Sequence, residues 1–258
     1  MDVSESPAAS QPGSSSIQQP DYWWYRARTG LLQAALGGYL GEPSRVLDVG
    51  SADGPSVDWM RGDHQRFAID VDPRGLKPGR DTCASALALP FPDDTFDVVG
   101  AFDVLEHCEP ESVAIRELTR VLAPGGRLLM SVPAYQWAWS DHDVRAGHYR
   151  RYTRARLLDA VHRTGLTVLR STYAFGGVFP FFVAERVARR LRPSTGGSAQ
   201  RLPQVSPAMD RVLMGLTRGE QRLLGSRDIP FGSSVLVAAA KPGRGDGDRR
   251  PGSTGGNT

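Results

Sequence analysis

The chain of 258 residues contains little cysteine and almost no lysine. Its two cysteines, Cys83 and Cys108, form neither a C-x-x-C pair nor a disulfide framework, so the sequence predicts a reducing, cytoplasmic environment. Only Lys77 and Lys241 are lysine among the 31 basic residues, and the net charge is +3. The arginines are scattered and no nucleic-acid-binding module is recognisable, so we expect no nucleic-acid partner.

Long apolar runs are also missing. No stretch reaches the length of about 18 apolar residues that a spanning helix needs, and the polar first twenty residues lack the apolar core of a signal peptide. Residues 1–19 and 242–258 are low in complexity and are predicted to be disordered tails. Residues 20–241 are predicted to form one domain.

Strand patterns and helical patterns alternate between the two tails. This alternation predicts an α/β fold with a mostly parallel sheet and helices on both faces. Residues 173–232, which contain arginine-rich helical patterns, interrupt the alternation and are interpreted as a helical insertion before the last strand. The predicted strands are residues 45–49, 66–70, 82–86, 96–102, 127–132, 166–172 and 234–240. The predicted helices outside the insertion are residues 21–40, 56–61, 110–122 and 154–164.

A glycine loop follows the first predicted strand, in the sequence V-L-D-V-G-S-A-D-G. Its glycines, Gly50 and Gly54, do not have the G-x-G-x-x-G spacing of a dinucleotide site. The loop also carries two carboxylates, Asp48 and Asp53, which would repel a pyrophosphate. Carboxylates suit a cofactor that carries an ammonium group and a sulfonium.

Four further motifs follow in order. Asp70 ends the second strand, 22 positions after Asp48, where an acidic side chain can accept hydrogen bonds from ribose hydroxyls. Then come L-P-F-P-D-D-T-F-D, the turn L-E-H at 105–107, and R-V-L-A-P-G-G at 120–126. Over about residues 44–133 the series resembles the type 11 family of class I S-adenosylmethionine-dependent methyltransferases. The resemblance implies a Rossmann-like, doubly wound, seven-stranded sheet with an antiparallel last strand, and S-adenosyl-L-methionine as the cofactor.

The same resemblance implies cofactor-binding roles for individual residues. Asp48 and Gly50 would line the methionine part, Asp70 would hold the ribose, and Asp103 would face the sulfonium end. Ser85 stands where the family has an acidic residue for the adenine amino group, so adenine recognition would fall to Ser85 or to the backbone of Ala86 and Leu87. The complete predicted cofactor set is Asp48, Gly50, Asp53, Asp70, Val71, Ser85, Ala86, Leu87, Asp103 and Arg28.

Arg28 enters this set through the aromatic and basic cluster at residues 22–28. The cluster resembles the W-W-x-x-x-R start of a subset of these methyltransferases, in which the helix would lie over the cofactor pocket. Arg28 would then meet the methionine carboxylate. The alternative is an amphipathic packing helix whose arginines extend outward.

The turn Asp103–His107 is one candidate for the chemistry. His107 follows the fourth strand at the end where open sheets bind their ligands, and it is a candidate base. The acid-x-x-acid-His spacing also resembles a segment of ubiquinone-type O-methyltransferases, some of which bind a divalent metal there. The simpler interpretation is that Glu106 and His107 cap the turn, and we predict no metal.

A second candidate is the segment 137–153, which is dense in His, Tyr, Trp and Arg. His142 and His148 are candidate bases near neutral pH, and Arg150 and Arg151 are candidate ligands for a carboxylate or phosphate. Together with Trp139 and Tyr152, the two arginines make up the predicted acceptor-binding set. The alternative is a structural turn in which Arg151 pairs with Asp141 or Asp143.

These motifs predict a methyltransferase that acts on a small-molecule acceptor, with a hydroxyl of a natural product, sugar or lipid-linked glycan as the expected target. One alternative is an enzyme of the membrane surface, with an aromatic and basic face at residues 173–192. Another is a protein that binds the cofactor without catalysis, an option to which the departure at Ser85 lends support. The sequence does not predict the oligomeric state.

Overall fold

The computed structural model describes residues 21–50, 55–191 and 205–244. Both predicted disordered tails, except residues 242–244, lie outside these described residues, and so does the segment 193–198, which the sequence predicts to be a linker rich in proline, serine and glycine within the insertion. The loop residues 51–54 are also outside, so the structure gives no position for Asp53. Across the described ranges, no helix combines the length and apolar character needed to cross a bilayer.

Seven strands form one sheet in the order β3-β2-β1-β4-β5-β7-β6. Strands β1 to β5 run parallel, and β7 lies antiparallel between β5 and β6. The predicted Rossmann-like sheet with an antiparallel last strand is confirmed. The strands are β1 (Arg45–Val49), β2 (Gln65–Asp70), β3 (Thr82–Cys83), β4 (Phe96–Phe102), β5 (Leu122–Pro133), β6 (Thr167–Ala174) and β7 (Ser234–Ala240).

Six α-helices accompany the sheet within the described residues. They are α1 (Trp23–Leu36), α2 (Glu111–Val121), α3 (Asp141–Arg145), α4 (Arg154–His162), α5 (Phe179–Leu191) and α6 (Pro207–Leu224). The short helix α3 was not predicted. The predicted helix at residues 56–61 is a 3-10 helix at Pro55–Met60, a form common in segments of only a few residues.

Strands β3 and β5 differ most from the prediction. Strand β3 ends at Cys83 because the chain turns at Ser85, whose hydroxyl accepts a hydrogen bond from the Leu87 amide at 3.1 Å. Strand β5 begins at Leu122, before the P-G-G turn, because the turn stays attached to the sheet. The Gly125 amide donates to the Lys241 carbonyl at 2.9 Å, and the Lys241 amide donates to the Gly126 carbonyl at 3.0 Å.

The sheet has a separate hydrophobic core on each face. On one face, alternate strand residues pack with the buried sides of α2 and α4. On the other face, the neighbouring strand residues pack with α1 and with the apolar side of α6. Both clusters have the period-two alternation expected of a doubly covered sheet. The C-terminal helix of the predicted insertion is therefore part of the second core.

Arg170 joins β6 to the ends of two helices. Its guanidinium donates to the Ala35 carbonyl at 2.8 Å, the Leu224 carbonyl at 2.7 Å and the Arg227 carbonyl at 3.1 Å, and it pairs with Asp228 at 2.8 Å. The last carbonyls of a helix have no partner within the helix, and a cation there is also favoured by the helix dipole. Arg170 therefore fastens α1 and α6 to the sheet.

Replacing Arg170 by alanine is expected to lower the free energy of unfolding by about 2–4 kcal/mol, because several shielded carbonyls lose a charged donor. Urea denaturation of the full chain measures this loss. Arg163→Ala is the matched control, since the Arg163 side chain is 77% exposed and pairs only with Asp159 in the same helix. The control should change stability by less than about 0.5 kcal/mol. An equal effect in both variants would contradict the role given to Arg170.

Candidate active site

Several residues at the carboxyl edge of the sheet have unusual backbone conformations. Asp103, Tyr135 and Phe175 follow β4, β5 and β6, and their φ angles are +58°, +63° and +64°. Residues with a Cβ rarely adopt this left-handed region, and such strain tends to concentrate at functional sites. Among the described residues, Asp94 (φ +55°) is the one other non-glycine residue in this conformation. The edge where open α/β sheets bind ligands is therefore also the strained edge.

Asp103 and Arg28 meet at this edge. The Asp103 carboxylate lies 2.9 Å from the Arg28 guanidinium and accepts a hydrogen bond from the Ser131 hydroxyl at 2.9 Å. Arg28 also donates to the carbonyl of Phe102 at 3.0 Å, and its side chain is 11% exposed. Helix α1 therefore brings a cation to the end of β4, where the sequence placed the methionine end of the cofactor. Ser131 was not among the predicted site residues.

Asp48 and Gly50 occupy the end of β1. Asp48 is buried and pairs with Arg66 of the neighbouring strand β2. Gly50 has φ +75°, and its amide donates to the Ile69 carbonyl at 2.8 Å. A Cβ at Gly50 would lie 2.5 Å from Cγ2 of Val104, so only glycine leaves this approach open.

Asp70 ends β2 with its carboxylate nearly buried. Burial raises the pKa of Asp70, and the hydrogen bond from the Asp72 amide at 2.8 Å opposes this rise. The next residue, Val71, is 70% exposed, an orientation that leaves its side chain open to a ligand. These positions suit a ribose at Asp70 with a base lying over Val71.

The segment expected beside the adenine forms a tight turn. The Ala88 amide donates to the Ser85 carbonyl at 3.1 Å, and Ala86 is buried while Leu87 is half-buried. The Ser85 hydroxyl is occupied by the Leu87 amide. The Ser85 side chain, which departs from the family pattern, thus has a hydrogen-bond partner within its own turn. The role of this turn in adenine recognition stays a prediction.

The turn at Leu105–His107 follows Asp103 directly. Glu106 is 1% exposed, and its Oε2 atom has no hydrogen-bond partner in the part of the chain described. Burial, reinforced by the charge of Asp103, raises the pKa of Glu106 well above its usual range. The sequence left a metal-ligand role and a capping role open for Glu106 and favoured the cap, because burial at a turn leaves no signal in spacing.

Three candidate bases cluster next to this turn. The ring centroids of His107 and His148 are 4.6 Å apart, and those of His142 and His148 are 6.4 Å apart. Desolvation and the neighbouring His148 ring lower the pKa of His107 to about 4. Desolvation also lowers the pKa of His142. His107 is therefore neutral at physiological pH, although part of its surface is exposed to solvent.

The segment that supplies His148 is held by a buried ion pair. Asp143 is fully buried and accepts hydrogen bonds from Arg151 at 2.7 Å and from Nδ1 of His148 at 2.9 Å. Although burial alone would raise it, these hydrogen bonds bring the pKa of Asp143 well below its usual range. Ser140 and Asp143 form a capping box that starts α3. Arg151 thus pairs with Asp143, which is one of the two partners that the sequence suggested for a structural turn.

Arg150 and Tyr152 are also engaged with the protein. Arg150 donates to the Cys108 carbonyl at 2.6 Å and pairs with Glu109. Tyr152 is fully buried, and its hydroxyl donates to Glu111 at 2.6 Å. Partners of this kind favour a structural role for the two residues, as they do for Arg151. Within the described residues, the half-buried Trp139 is the member of the predicted acceptor set whose side chain has no hydrogen bond or ion pair.

An aromatic cluster that the sequence did not single out stands beside these residues. The rings of Tyr135 and Tyr173 stack at 5.5 Å, and the ring of Phe179 packs against Tyr135 at 5.5 Å. Trp137 and Phe231 adjoin the cluster and are 42% and 47% exposed. These rings come from the loop after β5, the end of β6, the start of α5 and the loop before β7, and they converge only in three dimensions. The cluster offers an open apolar wall at the carboxyl edge.

Comparison with known proteins identifies the class. A family model described as a methyltransferase domain matches residues 22–171. The chain belongs to this family, and the prediction of a class I S-adenosylmethionine-dependent methyltransferase is confirmed. The enzyme class and the cofactor, S-adenosyl-L-methionine, are likewise confirmed.

Individual relatives agree on the class and differ in reaction. The chain is 28% identical to Methyltransferase GfsG of Streptomyces halstedii over 77% of this chain and 74% of that protein. It is 36% identical to the ubiquinone/menaquinone biosynthesis C-methyltransferase UbiE of a Marinomonas species, over 45% of this chain and 51% of that protein. Some other curated relatives are matched over less than half of their length. The crystal structure of the [4+2]-cyclase SpnF has the same fold, with a TM-score of 0.54 and 22% identity. The similarity covers 91% of this chain and 85% of SpnF.

The residues at the carboxyl edge fit S-adenosylmethionine. Gly50 leaves space that a Cβ would fill, Asp70 offers a carboxylate for ribose hydroxyls, and Arg28 offers a guanidinium for a carboxylate. The acidic ends of β1, β2 and β4 also suit the positive charge of the cofactor. The assignment of individual residues to parts of the cofactor stays a prediction.

Asp70→Asn tests the ribose assignment. We expect the dissociation constant for S-adenosylmethionine to rise about 10- to 100-fold, because a charged hydrogen bond contributes about 1.5–3 kcal/mol. Calorimetry on the full chain measures the constant. Asp63→Asn is the matched control, since Asp63 is exposed and precedes the same strand. Unchanged affinity in Asp70→Asn, with an unchanged melting temperature, would remove Asp70 from the cofactor site.

Proposed function

We propose that this methyltransferase acts on a hydroxyl of an apolar or partly aromatic small-molecule acceptor, such as a natural product, a sugar derivative or a lipid-linked glycan. The observation that carries the proposal is the aromatic cluster at the carboxyl edge, on the same edge as the Arg28–Asp103 pair. Ligand sites in open sheets lie at this edge, and they combine apolar walls with a few polar groups. The match to GfsG over 74% of the length of that protein supports a related scaffold.

The cofactor supplies an activated methyl group on a sulfonium when it is bound. The protein has to hold the acceptor oxygen in line with that group and to accept its proton. In our proposal Arg28, Asp70 and Gly50 hold the cofactor, and the exposed rings of Trp137 and Phe231 orient the acceptor. The imidazole cluster of His107, His142 and His148 removes the proton, since His107 is neutral at physiological pH.

Mass spectrometry of candidate acceptors after incubation with methyl-labelled S-adenosylmethionine tests this proposal. A gain of one labelled methyl group on a hydroxyl is the expected result. The Trp137→Ala variant should raise the KM for the acceptor more than it changes the affinity for S-adenosylmethionine. Label appearing on carbon or nitrogen would contradict the hydroxyl assignment, and no transfer despite tight cofactor binding would favour a non-catalytic binding protein.

A membrane-surface enzyme is the second candidate, and helix α5 favours it. Helix α5 presents an exposed apolar face with Phe181 at 51% and Val187 at 48% exposure. The guanidinium of Arg186 lies 4.9 Å from the ring centroid of Phe182, so a basic group lies beside an aromatic side chain of this helix. This face adjoins the aromatic cluster through Phe179 and Phe182, whose ring centroids are 5.9 Å apart.

Flotation of the full chain with anionic liposomes tests the second candidate. If α5 lies in the interface, the protein co-floats at low salt, and the double variant Phe181→Ser/Val187→Ser floats several-fold less. The matched control is Leu169→Ser, which changes another exposed apolar side chain, on β6 (40% exposed). Absence of flotation, or equal flotation of both variants, would exclude a role for this face in membrane binding.

A further inference from the structure

We propose that Glu106, His107 and His148 form a binding site for one divalent transition-metal ion, with Zn²⁺ as the best match. One ligand atom from each residue lies within 4.8 Å of the other two. Zinc ligands lie about 2.0–2.2 Å from the ion, so small side-chain adjustments bring the three onto one centre. Two imidazoles and one carboxylate, with a position left open, match the donor set of catalytic zinc sites.

The buried carboxylate is the observation that first points to a cation. Glu106 is 1% exposed, and its Oε2 atom has no hydrogen-bond partner among the described residues. A buried, unpartnered carboxylate oxygen is costly unless it is protonated or meets a cation. The nearest acidic neighbour, Asp103, is already engaged by Arg28 and Ser131. No group among the described residues donates to Oε2 of Glu106, so this oxygen is open to a bound cation.

The hydrogen bonding of His148 is the second observation. Its Nδ1 atom is bound to the buried carboxylate of Asp143 at 2.9 Å, which leaves Nε2 as the atom that can bind a metal. Metal-binding histidines usually have such a carboxylate or carbonyl on the other ring nitrogen, because it fixes the tautomer and the ring orientation. Arg151 donates to the same oxygen of Asp143 at 2.7 Å, so the support is itself fixed.

The backbone keeps the two segments of the site together. The Tyr149 amide donates to the Glu106 carbonyl at 2.7 Å, and the His148 amide donates to the Asp143 carbonyl at 2.9 Å. Glu106 is buried, His148 is half-buried and His107 is exposed, so the set reaches from the interior to the solvent. This gradient of exposure gives an ion a path into the site.

The proposed ligand set differs from the acid-x-x-acid-His pattern visible in the sequence. That pattern uses Asp103, whereas the structure commits Asp103 to Arg28 and Ser131 and brings in His148 from 41 positions further along the chain. A bound divalent ion would act as a Lewis acid that lowers the pKa of an acceptor hydroxyl, in place of a free imidazole base. This catalytic role rests on the proposed function, whereas the binding site itself does not.

The test is calorimetric titration of ZnCl₂ into chelator-treated, tag-free full-length protein. We expect one ion per chain, and Co²⁺ in place of Zn²⁺ should give visible d–d absorption. His148→Ala and Glu106→Gln should each weaken binding at least 10-fold. Asp143→Asn should also weaken binding, by about 10-fold or more, through loss of the support for His148. His142→Ala is the matched control, because this imidazole belongs to the same segment but not to the set, and it should bind Zn²⁺ as the parent does.

Three results would overturn the metal site. They are the absence of stoichiometric binding, parental affinity in both His148→Ala and Glu106→Gln, and a loss in His142→Ala equal to that in His148→Ala. Thermal melting of each variant identifies those that fail to fold, and Glu106→Gln keeps the shape of the buried side chain. Affinity for S-adenosylmethionine is measured in parallel. Metal binding without methyl transfer would count against the proposed function alone, and methyl transfer without metal binding would count against the site alone.

Discussion

The left-handed turn at Asp103 is the constraint on which the rest of the site depends. After β4 the chain reverses through φ +58°, and the Asp103 amide donates to the Ser131 carbonyl of β5 at 2.9 Å. The same residue uses its carboxylate to hold Arg28 of α1. Because the turn is fixed from both sides, Glu106 and His107, three and four residues later, project at a defined place on the carboxyl edge. A residue with a Cβ adopts this conformation only where its surroundings compensate for the strain, and these contacts do so.

Burial decides how the segment 137–153 is interpreted. The residue types there fit a substrate loop and a structural turn equally well, because His, Tyr and Arg serve in both. In the structure Asp143 is fully buried with Arg151, and Tyr152 is buried against Glu111. A buried ion pair costs desolvation energy, and removal of one partner leaves an uncompensated charge. The segment therefore acts first as a support, and its open side is what remains for ligands.

Much of the fold could be predicted because it rests on short-range patterns. Strands β1, β4 and β7 were predicted to the residue, since each is a run of apolar residues bounded by polar or glycine positions. The early start of β5 was missed because its pairing depends on Lys241, more than 110 residues away. The position of the cofactor edge followed from motifs, whereas the burial of Glu106 and the aromatic cluster depend on which loops meet. Contacts between distant loops leave no periodicity in one sequence.

The fold by itself leaves the chemistry open. SpnF, named as a [4+2]-cyclase, has the same architecture as this chain, and the UbiE relative is named as a C-methyltransferase. A shared fold or a related sequence can thus accompany a different reaction, so the chemistry has to be argued from the groups at the site. In this chain the edge divides into two parts. Asp70 ends β2, Arg28 lies on α1 and Asp103 follows β4, and these three are predicted to contact the cofactor. Glu106, the three histidines, Trp137 and Phe231 belong to turns, loops and short helices at this edge, and the proposed acceptor chemistry rests on them.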